Sequence, residues 1–83
     1  MVNPVIMQLK IELSEAQKDF NECEIKIKRL FYELSSLLNP YYKTIEEIKA
    51  EEIEQCADEL LKIKTEAKAI KAKINDIKTQ LGE

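Results

Sequence analysis

Apolar residues recur along the first half of the chain in unbroken steps of four and three: Val2, Ile6, Leu9, Leu13, Ala16, Phe20, Cys23, Ile27, Leu30, Leu34 and Leu37. That spacing is a heptad seam, the stripe one helix offers to another. With Ile6 at position a, Leu13, Phe20, Ile27 and Leu34 are the other a residues, and Leu9, Ala16, Cys23, Leu30 and Leu37 take d. Asn3-Pro4 predicts the start: Asn is a good N-cap, and proline at the first helical position gives up an N–H that has no partner there anyway. A second seam runs Ile53, Cys56, Leu60, Ile63, Ala67, Ile70, Ile74, Ile77 and Leu81, again in threes and fours.

Between the seams, Asn39-Pro40-Tyr41-Tyr42-Lys43-Thr44 predicts a turn, because Pro40 pushes Asn39 out of the α region and has no N–H to give the preceding turn. Thr44-Ile45-Glu46-Glu47 has the form of a capping box, Thr44 accepting from the Glu47 N–H and the Glu47 carboxylate reaching back to the Thr44 N–H. Ile45 and Ile48 miss the register of the second seam, which predicts a four-residue stutter between Ile48 and Ile53. Gly82 supplies a left-handed stop. The chain therefore reads as a single domain over 1–83: helix 1 about 4–38, turn 39–44, helix 2 about 45–81.

Folding back at the turn lets each seam face the other without a second chain. Pairing residues whose numbers sum to 83 makes every a meet a d: Leu30 with Ile53, Ile27 with Cys56, Cys23 with Leu60, Phe20 with Ile63, Ala16 with Ala67, Leu13 with Ile70, Leu9 with Ile74, Ile6 with Ile77, and Val2 with Leu81. The fold class is all-α, an antiparallel two-helix coiled-coil hairpin about 50 Å long. In this register Cys23 and Cys56 lie a layer apart, beyond disulfide reach, so both are expected as free thiols.

Two helices alone bury one stripe each, so further burial by self-association is favoured. A surface for it lies off the seam. Phe31 and Leu38 occupy e, Ile11, Ile25 and Tyr32 occupy f, and on helix 2 Ala57 is at e with Leu61 at the adjoining b. In an antiparallel pair the two e rows share a side, so these residues are expected to form one apolar flank through which hairpins pair into a four-helix bundle.

Composition narrows the chemistry. The 13 Lys+Arg against 16 Asp+Glu, a net charge of −3 and a pI near 5.1 argue against a generally basic nucleic-acid coat. With 45% hydrophobic residues the chain folds, and no apolar run reaches the length of a signal-peptide core or a membrane span, so a cytoplasmic protein without membrane contact is expected. There is no His, which removes the usual general base, the catalytic triads and the common His-based metal motifs; the two cysteines stand in no C-x-x-C pair. No enzyme activity, cofactor or metal is expected.

Helix 2 is polarised, with acids in its first half and lysines in its second. Lys64, Lys71 and Lys78 sit at e, beside Lys10 of helix 1, as a ridge able to hold phosphates or the acidic segment of a second hairpin arranged head to tail. No aromatic interleaves it, so stacking on single-stranded bases is poorly served. Glu47, Glu51, Glu54 and Asp58 follow helical spacing on an outward face and make an incomplete carboxylate cage for Mg²⁺. Tyr41 and Tyr42 are read as capping the hinge end of the core, with a recognition tip as the alternative.

The turn lacks the Trp-x-Gly of secreted WXG-type hairpins, and Ala57-Asp58-Glu59-Leu60-Leu61 matches the Ser-Gln-Glu-Leu-Asp signature of a family of aspartyl-phosphate phosphatases only at Glu59-Leu60. What the chain shares with these, and with Rop-like RNA-binding bundles, is architecture. The function expected is a non-enzymatic, self-associating interaction or assembly module, a small regulator or chaperone-like accessory protein. The alternatives are a Rop-like RNA- or DNA-binding bundle working through the lysine ridge, and a carboxylate-metal phosphatase or pyrophosphohydrolase.

Overall fold

The computed structural model describes residues 3–41 and 43–82. Two helices, α1 (Pro4–Leu37) and α2 (Ala50–Gln80), pack against each other as an all-α hairpin, with no strand among the described residues. The rod measures 69 × 16 × 15 Å. Val2 of the expected first layer and Tyr42 of the expected turn lie outside the described residues.

The ends of α1 follow from its sequence. The Asn3 side chain accepts from the Val5 N–H at 2.9 Å, and Pro4 opens the helix. At the other end Leu38 N–H donates to Leu34 O, and Asn39 Oδ1 accepts from the Tyr41 N–H at 2.9 Å, an Asx turn that carries the chain away. Gly82 closes α2 at φ +81, its N–H donating to Thr79 O at 3.1 Å.

Helix 2 starts later than the capping box predicts. Ile45–Glu47 form one 3₁₀ turn, Ile48 is extended, and the α-helix begins at Ala50. The Thr44 side chain caps nothing; the Glu47 carboxylate takes the Lys43 N–H at 2.8 Å instead of that of Thr44. The expected stutter is thus a break. In the expected register a continuous helix from Ile45 would have set Glu46 against Leu37 and Lys49 against Leu34, and burying two charges there costs more than giving up one helical turn.

The seams themselves pack as their spacing predicts, from Leu9 to Leu37 and from Ile53 to Leu81, all buried or half-buried. Their mutual register does not follow the expected sum of 83. The Cys56 thiol lies 3.6 Å from a Glu33 carboxylate oxygen, the Lys71 ammonium lies 5.5 Å from the Phe20 ring centroid, and Lys26 and Leu30 wall one groove with Glu59 and Ile63. Facing residues therefore have numbers that sum to about 90, a slip of one heptad. Ala16 now faces Ile74, Leu13 faces Ile77, Cys23 faces Ala67, Phe20 faces Ile70 and Leu34 faces Cys56. Two physical reasons support this slip. The longer connection over 38–49 moves the reversal point toward Ile45, and Ala16 is placed against a large residue where the expected Ala16–Ala67 layer would have left a void. Ala16 and Ile74 are each only 3% exposed.

The slip leaves the first turn of α1 overhanging the end of α2. Ile6, expected in the core opposite Ile77, is 43% exposed. It also carries Cys23 and Cys56 about three helical turns apart, roughly 16 Å. Both are buried free thiols.

Candidate interaction surface

A heptad helix puts e, b and f on one side of the seam and c and g on the other, so the hairpin has two long sides of different chemistry. On the e side the slipped register sets Phe31 of α1 across from Ala57 of α2, with Leu61 one turn further along α2 and Leu38 toward the hinge. All four are exposed, Phe31 by 53% and Leu61 by 65%. Ile25 and Tyr32, at f, are exposed further round α1.

Ile11 is not brought to these residues. It lies about 30 Å from Phe31 along α1, at the open end, where Val5, Ile6 and Met7 are also exposed. The expected single flank is therefore two apolar stretches, one near each end. Sequence reading missed the open-end stretch because the expected register buried Ile6. At the hinge, Tyr41 is 84% exposed and so does not cap the core; Ile45 and Ile48 stand exposed beside it once the helix breaks.

Between the two stretches runs the lysine ridge. Phe20, Ala67, Ala72, Asn75 and the stems of Lys64, Lys68 and Lys71 line a shallow, mostly apolar groove of about 480 Å³. The groove exists because the layer next to Phe20 holds only Cys23 and Ala67, both small. Lys71 lays its ammonium over the exposed face of the Phe20 ring, a cation–π contact. Lys78 is half-buried and Lys10 exposed toward the open end. Lys68, at b, joins the e-row lysines here; its spacing to Lys64 and Lys71 was the available signal.

The opposite side is acidic. Glu33, Glu52, Glu59 and Cys56 line a groove of about 380 Å³ near the hinge. Burial pushes the Cys56 thiol above its ordinary value of 9.0, and its hydrogen bond to Glu33 with the charges of Glu33, Glu59 and Glu52 pushes the same way. A thiol held protonated in this way is a poor nucleophile and a poor metal ligand. Among the described residues no group of three or more His, Cys, Asp or Glu side chains is placed to hold a metal ion. The Glu47–Asp58 row is not continuous either, since Glu47 belongs to the 3₁₀ turn ahead of the break. No helix of the described residues is long and apolar enough to cross a membrane.

No family model, curated protein or solved structure matches this chain.

Proposed function

We propose that this chain is a non-enzymatic helical-hairpin module for protein–protein interaction and assembly, self-associating through its e side, and acting in the cytoplasm as a small regulator or chaperone-like accessory protein. The observation that carries this reading is the gathering of Phe31, Leu38, Ala57 and Leu61 on one exposed side of the rod near the hinge. Fully burying side chains of this size contributes about 1.5 to 3 kcal/mol each, and a contiguous patch of them marks an association surface in soluble proteins. The lack of histidine, which removes the usual general base near neutral pH, supports a role without chemistry.

Sedimentation equilibrium at micromolar concentration tests it. The expected mass is that of a dimer, and Phe31→Glu and Leu61→Lys are expected to shift it to the monomer without loss of helicity. A strict monomer unaffected by both substitutions contradicts the reading.

A second reading, an RNA- or DNA-binding bundle, is favoured by the convergence of Lys64, Lys68 and Lys71 on one groove. It predicts retardation of a labelled duplex that weakens steeply with salt and on Lys64→Glu, Lys71→Glu and Lys78→Glu. Absence of a shift at low salt removes it.

A further inference from the structure

The outward side of α2 is a charge dipole with apolar anchors. Near the hinge it carries Glu51, Glu54 and Asp58, and toward the open end Lys64, Lys68, Lys71 and Lys78. The apolar features on this side are also unequal: protruding Phe31 and Leu61 in the hinge half, and the Phe20 groove with Ala72 in the open half. A surface that is positive at one end and negative at the other, with knobs near one end and a groove near the other, is complementary to itself when reversed.

Resting on the self-association reading above, we propose that two copies pair antiparallel through this side, about a two-fold axis crossing α2 beside Lys64 and Thr65. A single offset then matches the acidic and apolar features, with Lys64 alone lying beside its own copy at the axis. Asp58 of each copy meets Lys71 of the other, Glu51 meets Lys78, Ala57 packs on Ala72, Leu61 lies along the stem of Lys68, and Phe31 reaches the groove beside Phe20. The same offset brings the overhanging Ile6 and Met7 of one copy toward the exposed hinge residues Leu38 and Tyr41 of the other. A side about 50 Å long and 16 Å wide offers about 800 Å² per partner, the size of a standard specific interface. Parallel pairing of the same sides also covers Phe31 and Leu61, but it sets the lysine ridges of the two copies side by side. The repulsion of like charges selects the antiparallel arrangement.

The orientation is read from the sign of charge-reversal effects on the dimer dissociation constant, measured by sedimentation equilibrium on the full chain at low salt, with circular dichroism confirming that each variant is folded. Lys71→Glu and Asp58→Lys are each expected to weaken the dimer about tenfold or more, and the doubly substituted chain to recover to within about threefold of the original. Glu51→Lys and Lys78→Glu form an independent second pair with the same expected pattern. If Lys71→Glu tightens the dimer, or if neither double substitution recovers, the copies pair in another orientation and the proposal is overturned while self-association stands. If the unsubstituted chain is a monomer that instead retards a labelled duplex RNA through Lys71, both the proposal and the self-association reading fall.

Discussion

The Cys56 thiol of α2 donates a hydrogen bond to the Glu33 carboxylate of α1 across the helix interface, at 3.6 Å. This contact marks the register of the hairpin and holds the thiol in its protonated form. Burial is the first cause of the raised value and Glu33 the second. Cys56 is therefore expected to alkylate more slowly at pH 8 than a small free thiol, and Glu33→Gln to speed it several-fold while leaving Cys23 unchanged. Equal rates with and without Glu33 would contradict the contact.

The same shift gives a pH dependence of stability. An acid whose value is raised on folding keeps its proton in the folded state after the unfolded chain has lost its own, so stability is full below pH 9.0 and falls as the pH climbs past it. Denaturant midpoints between pH 8 and pH 10.5 are expected to decline, and Cys56→Ala to flatten that decline. An unchanged slope in the alanine variant assigns it to other groups.

The start of α2 has an improvable cap. Lys49 occupies the N-cap position and makes no side-chain hydrogen bond, while the Thr44 hydroxyl, the cap expected from sequence, makes none either. Lys49→Asp is expected to stabilise by about 1 kcal/mol, through the cap and the helix dipole together, and Thr44→Ala to change stability by less than about 0.5 kcal/mol. Urea unfolding of the three chains checks both; a loss of about 1 kcal/mol on Thr44→Ala would restore the helix start at Ile45.

The core is expected to be uneven along the rod. Ile74→Val, in a layer closed to solvent, should cost about 0.5 to 1.5 kcal/mol, whereas Ile6→Val, on the overhang, should fall within the noise of surface substitutions, about 0.5 kcal/mol. Equal costs would place Ile6 back in the core.

Much of this architecture is legible in the sequence. The steps of three and four from Leu9 to Leu37 and from Ile53 to Leu81 identify the buried positions on their own, because only a helix puts them on one stripe. Asn3-Pro4 and Gly82 mark two helix ends, because each residue meets a specific backbone need. The register is not legible from the stripe: a heptad pattern is unchanged by a slip of seven residues, and only the small pair Ala16 and Ala67 distinguishes the alternatives, by the void they leave when stacked. The start of α2 was misread because Thr44-Ile45-Glu46-Glu47 is a sound local cap, while the cost of carrying Glu46 and Lys49 into the seam is a tertiary effect. Phe31, Ala57 and Leu61 were found as a flank from their e and b positions. The exposure of Ile6 and the contact between Cys56 and Glu33 depend on the register and so stayed hidden with it, whereas Met7, at b, faces outward in either register.

The folded-back chain in its slipped register sets which residues of the two helices lie side by side, and disulfide trapping tests it directly. In a chain carrying Cys23→Ala and Cys56→Ser, the pair Ala16→Cys and Ile74→Cys is expected to oxidise rapidly to an intrachain crosslink at high dilution, while Ala16→Cys with Ala67→Cys stays reduced. Rapid crosslinking of the second pair and not the first would return the helices to the unslipped register; failure of both would contradict the hairpin itself.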